Sequence, residues 1–333
     1  MVFDAPPAQA AHAWMPSSPC GPGCVQSTAE VGPARVFARV LGVAGLLFSY
    51  PLLNAATPRK RREGLQRRYA HAVLDCLGIE LRVVDQRPGS DRARYAAPDE
   101  GVLIVAGHVG WSDVVVMAAV QPLGFVARAD MLDWPLLGGL ARRLRVIPIE
   151  RERLRELPGV VAELGERLAT GDRVAVFPEG TTWCGRAYGR MRPALFQAAV
   201  NTGTFVQPIR LRYLDRHGAQ CTVPGFVGED TFADSAKRML RSRGMVAEVV
   251  LLPQEYPGLD RRDLARRCER AVRGTGQSRH GATVEWIEAS ATRVQDPAPA
   301  ALPIPERHPA DRRGLRGRAA GVLRRRTPES AAG

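Results

Sequence analysis

Short apolar runs recur through the middle of the chain. Ile79–Val84, Val102–Ala106, Phe125–Ala129, Arg145–Ile149, Arg173–Phe177, Phe205–Arg212 and Val246–Leu252 are each bounded by glycine, proline or polar residues. That is the pattern of buried strands. Between them the spacing turns helical. Val114–Val120 is one such segment, and Val160, Val161, Leu164 and Leu168 form another that stops at Gly171. Pro193–Val200 and Leu264–Val272 read the same way, and Met131–Leu144 reads as a helix interrupted by Pro135 and Gly138-Gly139. Arg87–Glu100 is polar and reads as a loop or hairpin. Strands alternating with helices predict an α/β fold: a single layered domain with a largely parallel central sheet flanked by helices. Functional groups then gather where the strands end. Pro208 places its strand at an edge or a bulge.

The most apolar stretch, Val36–Leu53, precedes this domain. It is shorter than the roughly 20 residues of a spanning helix, carries Arg39 and is interrupted by Pro51. A tilted span, a re-entrant arm and a helix lying in the interface all fit. Arg59-Lys60-Arg61-Arg62 and Arg67-Arg68 follow, and Tyr69–Leu77 continues as a helix. Basic clusters beside an apolar helix point to anionic headgroups on the cytosolic face of the cytoplasmic membrane. A buried core helix followed by a solvated basic one is the alternative. Met1–Gly32 lacks a basic segment leading into a long apolar core, so it is no ordinary signal peptide. The predicted organisation is a disordered leader (1–32), a membrane-contact helical segment (33–78), the α/β domain (79–290) and a disordered basic tail (291–333).

The chain has 333 residues and a formal net charge of +13. Only Lys60 and Lys237 are lysine, so the charge is largely an arginine bias and weighs little as a sign of function. Six cysteines in a chain of this length do not form a small disulfide framework, and a reducing compartment is expected. Cys20-Gly-Pro-Gly-Cys24, with His12 nearby, has ligand-like spacing but sits in the predicted leader. No metal is expected in the α/β domain.

His108 and Asp113 follow the Val102–Ala106 run. Histidine is the usual general base near neutral pH, and a carboxylate on one ring nitrogen improves it. On an ideal helix the two positions diverge by about 140°, but Gly107 and Gly110 allow a turn that brings them together. Ser112 or Asp113 is placed to cap the helix that follows. Read alone, the pair is equally a structural histidine beside a capping aspartate.

Two further blocks stand at comparable strand ends: Glu150-Arg151 and Phe177-Pro-Glu-Gly-Thr181. With Val206-Gln-Pro-Ile209 they resemble, over about Phe37 to Tyr213, the glycerolipid acyltransferase family, the 1-acylglycerol-3-phosphate acyltransferases and their relatives. The resemblance implies that His108 takes the acceptor hydroxyl proton while Asp113 orients the ring, with direct attack on an acyl thioester and no acyl-enzyme. It implies that Arg151 holds an acceptor phosphate, a task suited to a guanidinium fork. Arg128 is a weaker candidate for the same pocket, and Glu179, Gly180 and Thr181 correspond to the acceptor site. Pro208 is scaffold on the acyl-donor side. Gly107 and Gly110 replace the family's common Asn and Ser, and Thr182 stands where an arginine is frequent.

The function implied is transfer of a fatty acyl group to a lysophospholipid, 1-acylglycerol-3-phosphate giving phosphatidate. Relatives acting on other lysolipids, such as lyso-ornithine lipid, also lack that arginine. Acyl-CoA or acyl carrier protein is the co-substrate, and no further cofactor is implied. A membrane surface is the expected partner, with monotopic or peripheral attachment and no specific nucleic acid. Arg186, Arg190 and Arg192 are a further source of charge beside the third block, and the N-terminus of the helix near Asp113 is a candidate oxyanion or phosphate site. Two rival readings remain. One is a hydrolase using Ser112 or Ser235, against which stands the lack of a G-x-S-x-G elbow. The other is a basic nucleic-acid-binding protein, against which stands the scarcity of aromatics among the basic runs.

Overall fold

Among the described residues seven strands form one sheet. The computed structural model describes residues 16–26, 29–89, 93–130, 139, 146–150 and 153–274. The strands are β1 (Ile79–Asp85), β2 (Val102–Val105), β3 (Gly124–Arg128), β4 (Ile147–Ile149), β5 (Arg173–Val176), β6 (Val206–Leu214) and β7 (Met245–Leu251). They lie in the order β1-β7-β6-β2-β5-β3-β4, and every neighbouring pair is parallel except β6 with β7. The sheet is therefore largely parallel.

The helices are α1 (Pro33–Ala56), α2 (Arg59–Leu77), α3 (Ser112–Val120), α4 (Leu157–Ala169), α5 (Phe196–Thr202), α6 (Phe232–Arg241) and α7 (Arg261–Arg273). Both faces of the central strands are covered. On β2, Val102 and Ile104 join the core beneath α2, α3 and α6, while Leu103 and Val105 join the core beneath α4, α5 and α7. A strand buried on both faces reads as a continuous apolar run, because the alternation has no polar side.

Three expectations need correction. Pro208 lies in a central strand, between β2 and β7. It is tolerated because two ladders change over there: Val105 is its last partner on β2, and pairing with β7 begins at Ile209. Pro51 does not end α1. The ring removes one hydrogen bond to the preceding turn, and the helix continues to Ala56. Residues 16–26 are not separate from the domain. Cys20 is buried, Gln26 N–H donates to Thr222 Oγ1 at 2.8 Å, and Val31 N–H donates to Arg241 O at 2.8 Å.

α6 is not among the elements expected above, although Phe232, Ala236, Met239 and Leu240 recur along it at helical spacing. A second sequence signal is the capping box Thr231/Asp234, in which Asp234 N–H donates to Thr231 Oγ1 at 3.2 Å. The predicted helix Met131–Leu144 and the predicted tail lie outside the described residues.

Among the described residues α1 alone is long and apolar enough to cross a membrane. Arg39, the charge that interrupts its sequence, faces the protein. It donates from Nη1 to Leu240 O at 2.7 Å and to Ser242 O at 2.8 Å, capping the end of α6. The opposite side carries Phe37, Leu41, Phe48 and Leu52, all exposed. Arg59, Lys60 and Arg61 at the start of α2 are exposed as well.

Candidate active site

Val105 of β2 pairs with Val176 of β5, so the loops that follow these strands leave the sheet side by side. This brings His108 against the Phe177-Pro-Glu-Gly loop. The His108 N–H donates to Glu179 Oε2 at 2.9 Å, and Glu179 Oε1 accepts the Gly189 N–H at 3.0 Å. The imidazole stacks on Phe177, with ring centroids 3.9 Å apart and planes 11° from parallel. Thus the ring has a fixed floor, and its backbone is anchored to a neighbouring strand end.

Asp113 sits in the first turn of α3 and is fully buried. Its Oδ2 accepts from His108 Nδ1 at 2.8 Å, from the Val109 N–H at 2.7 Å and from the Gly110 N–H at 3.1 Å. Its Oδ1 accepts the Tyr213 hydroxyl at 2.8 Å. A carboxylate can only accept, so the proton lies on Nδ1 and Nε2 keeps its lone pair. Trp111, not Ser112 or Asp113, is the N-cap of α3, without a side-chain cap. The Asp113 side chain reaches back into the turn because the N–H groups of Val109 and Gly110 need an acceptor there. Those two donors are consequently occupied and are not open to an oxyanion.

Gly110 has a steric reason. A Cβ at this position would stand 2.3 Å from the Pro224 carbonyl oxygen, so the loop carrying Pro224 excludes any side chain. Gly180, at φ +74°, takes a left-handed turn beside Pro16.

A cavity of about 700 Å³ opens beside His108. Glu179, Trp183, Tyr188 and four arginines, Arg186, Arg210, Arg212 and Arg273, share its wall with Asp215. Three of the four arginines are engaged. Arg210 donates to Val272 O and Ala271 O at the end of α7, Arg212 pairs with Glu248, and Arg273 pairs with Glu269 and lies 4.2 Å from the Tyr188 ring centroid. Arg186 has no ion-pair partner among the described residues. Burial pushes the Glu179 carboxyl up to about 8, against the pull of the His108 N–H, Arg273 and the Gly189 N–H. Asp215 is held below the usual carboxylate range by the N–H groups of Ala219 and His217.

Of the residues the sequence singles out, His108, Asp113 and Glu179 come together. Gly180 and Thr181 continue the same loop but do not line this cavity. Arg128 ends β3 with an exposed side chain in an ion pair with Asp130 at 2.7 Å, also away from it. Arg151 lies outside the described residues; β4, which precedes it, is three strands from β2. Arg190 and Arg192 are exposed and do not line the cavity, whereas Arg186 does. The rival nucleophiles are sequestered. Ser112 is buried and bonded to the Tyr213 hydroxyl at 2.8 Å, and Ser235 is buried and accepts Trp111 Nε1–H at 3.2 Å. Sequence reasoning misses Tyr213, because its partner is a hundred residues away and no local spacing marks it.

Comparison with known proteins bears on the family of the chain. A family profile described as Acyltransferase matches residues 89–212. A lyso-ornithine lipid O-acyltransferase of Pseudomonas aeruginosa is 32% identical over 238 residues, spanning 70% of this chain and 86% of that protein. The chain belongs to the glycerolipid acyltransferase family. Other relatives within this acyltransferase family differ in the acceptor they are named for. A lyso-ornithine lipid O-acyltransferase of Brucella abortus is 29% identical over 270 residues, covering 74% of this chain and 96% of the relative. A 1-acyl-sn-glycerol-3-phosphate acyltransferase of Neisseria meningitidis serogroup B is 34% identical over 154 residues, covering 46% and 57%. The crystal structure of the 1-acyl-sn-glycerophosphate acyltransferase PlsC of Thermotoga maritima shares the fold, with a TM-score of 0.52 and 16% identity over 77% of this chain and 98% of that one.

Proposed function

We propose that the protein moves a fatty acyl group from an acyl thioester to the hydroxyl of a lysolipid, with His108 as general base. The observation that carries the reading is the His108–Asp113 pair, joined at 2.8 Å, on the wall of the cavity. In this scheme the acceptor hydroxyl donates to Nε2 of His108. As the O–H bond breaks, the oxygen attacks the thioester carbonyl, and Asp113 stabilises the imidazolium through Nδ1. Collapse of the tetrahedral intermediate breaks the C–S bond, and the proton on Nε2 passes to the leaving thiolate. Phe177 and Glu179 hold the ring and its backbone still, which keeps the base within reach of the hydroxyl.

For the acceptor, lyso-ornithine lipid is the preferred reading. An ornithine headgroup carries one carboxylate and one ammonium, and the cavity offers Arg186 and Asp215 in one wall. Thr182 in place of an arginine, and the two long matches to lyso-ornithine lipid O-acyltransferases, support the same choice. The second reading is 1-acylglycerol-3-phosphate. Arg151 after β4 and the Neisseria relative favour it. The apolar exposed side of α1, with the basic start of α2 beside it, supports monotopic attachment to the cytosolic face of the cytoplasmic membrane.

A panel of lysolipids with labelled acyl-CoA or acyl carrier protein, read by product mass, tests the proposal. The expected result is a diacylated ornithine lipid, with Arg186→Ala raising the acceptor KM. Exclusive formation of phosphatidate selects the second reading. Release of free fatty acid without any acceptor refutes acyl transfer.

A further inference from the structure

The sulfur atoms of Cys20, Cys24 and Cys184 lie within 4.8 Å of one another, in a small core separate from the two main ones. Cys20 precedes and Cys24 ends a short 3-10 turn, Pro22–Cys24, whose Cys24 N–H donates to Gly21 O at 2.9 Å. Cys184 arrives from 164 residues away in the chain, on the loop that follows β5. Its backbone N–H donates to the Cys20 sulfur at 3.4 Å. No disulfide links any of these cysteines. The acyl-transfer scheme uses none of them.

From this arrangement we infer that Cys20, Cys24 and Cys184 form a binding site for a thiophilic divalent cation, Zn2+ by chemistry, that clasps the N-terminal segment to the loop walling the active-site cavity. Three observations carry it. The Cys-x3-Cys spacing falls within the range of zinc knuckles, and a glycine-proline-glycine turn is what lets both thiols face one point. A third sulfur stands at the same point from a distant part of the chain. A backbone N–H already aimed at a sulfur is the kind of outer contact that orients a thiolate ligand. Three thiolates at about 2.3 Å from zinc require sulfurs about 3.8 Å apart, so the site closes by no more than about 1 Å. Each Zn–S bond forms as one S–H bond breaks, and three protons pass to solvent. Water completes the tetrahedron.

The placement gives the clasp a consequence. Trp183, next to Cys184, donates its backbone N–H to the His108 carbonyl at 2.8 Å, and Trp183 and Ala187 line the cavity. Gln26 lines the cavity too, so ordering residues 16–26 steadies one wall of the site.

The test uses the full-length protein, purified with a phosphine reductant, and Co2+ as a spectroscopic probe. The expected result is one equivalent bound, a thiolate-to-cobalt charge-transfer band that Zn2+ abolishes, and loss of the dithionitrobenzoate reactivity of Cys24, the partly exposed member of the three, on saturation with Zn2+. Cys20→Ser and Cys184→Ser should weaken binding at least 100-fold, while Cys76→Ser leaves it unchanged. Because a buried cysteine variant can misfold, the thiol protection is measured on the unsubstituted protein as well. An absent charge-transfer band with an unchanged thiol count overturns the inference. So does undiminished binding by both serine variants, or formation of a disulfide among these cysteines in a protein that takes up no metal.

Discussion

The Tyr213 hydroxyl donates to Oδ1 of Asp113 at 2.8 Å while accepting a second bond from the Ser112 hydroxyl at 2.8 Å. Tyr213 is the next-to-last residue of β6, and Asp113 lies in the first turn of α3. Burial and the neighbouring carboxylate push the phenol well above its ordinary range, so it remains a hydrogen-bond donor at any working pH. Removing the hydroxyl leaves a buried carboxylate oxygen unpaired. Tyr213→Phe should therefore lower stability by about 1.5–3 kcal/mol, the worth of a bond to a charged group. It should also reduce kcat roughly tenfold with little change in KM, because the loss reaches the acceptor only through Asp113 and His108. Urea unfolding and steady-state kinetics on one preparation check both.

His108→Ala should fold and lose about 10²–10⁴ of its turnover, the range for removing a general base. The side chain packs on Phe177 but is not part of the main cores, so circular dichroism should be unchanged. Turnover within threefold of the parent contradicts the assigned role.

Glu179 supplies a dependence of stability on pH. Its carboxyl moves from an ordinary value of 4.5 to about 8 in the folded chain, chiefly through burial. Between those values the folded state holds more protons than the unfolded one, so stability is greatest at the acid end and falls as pH rises through about 8. Glu269, raised in the same direction by burial, adds to the slope. Glu179→Gln should make the slope shallower between about pH 5 and 9, at a cost of about 1–3 kcal/mol at pH 5 from the backbone N–H that loses its acceptor. Unfolding midpoints across that range show whether the variant's curve flattens.

Gly110→Ser restores a residue common among relatives, yet it should destabilise this protein. The new Cβ would meet the Pro224 carbonyl oxygen at 2.3 Å, and backbone must move to relieve it. The expected cost is about 1–3 kcal/mol, with reduced kcat because the Gly110 N–H is one of the donors to Asp113. A variant as stable as its parent argues against that close approach.

Phe48→Asp with Leu52→Asp places two charges on the exposed side of α1 without touching Arg39 or its carbonyl partners. Co-sedimentation with anionic vesicles should fall sharply, while activity on a short-chain, water-soluble acceptor persists. Undiminished sedimentation places the anchor elsewhere in the chain.

Much of this protein is legible along the chain because its strands are local events. Each buried run of apolar residues between turn formers is a strand within a residue or two of where apolar content predicts it, and the alternation of strands with helices implies the sheet. His108 and Asp113 are legible too, since a turn and one helical step connect them. Helices at the edges were underestimated for the same local reason. The first turns of α2 are basic, so apolar spacing is silent there; α6 carries the spacing in Phe232, Ala236, Met239 and Leu240, but over one short helix whose bounds are set by capping and by Arg39.

What only the tertiary structure decided is everything that depends on strand order. β2 lies between β5 and β6, so Glu179 braces His108 from 71 residues away and Tyr213 supports Asp113 from a hundred. The same order sets β3, and Arg128 with it, apart from the cavity, and brings Arg186 into its wall. Residue type and spacing encode which groups are chemically able to act. Which of them meet is set by the pairing of strands far apart in sequence, a long-range choice made by burying two faces of one sheet, and no local pattern carries it.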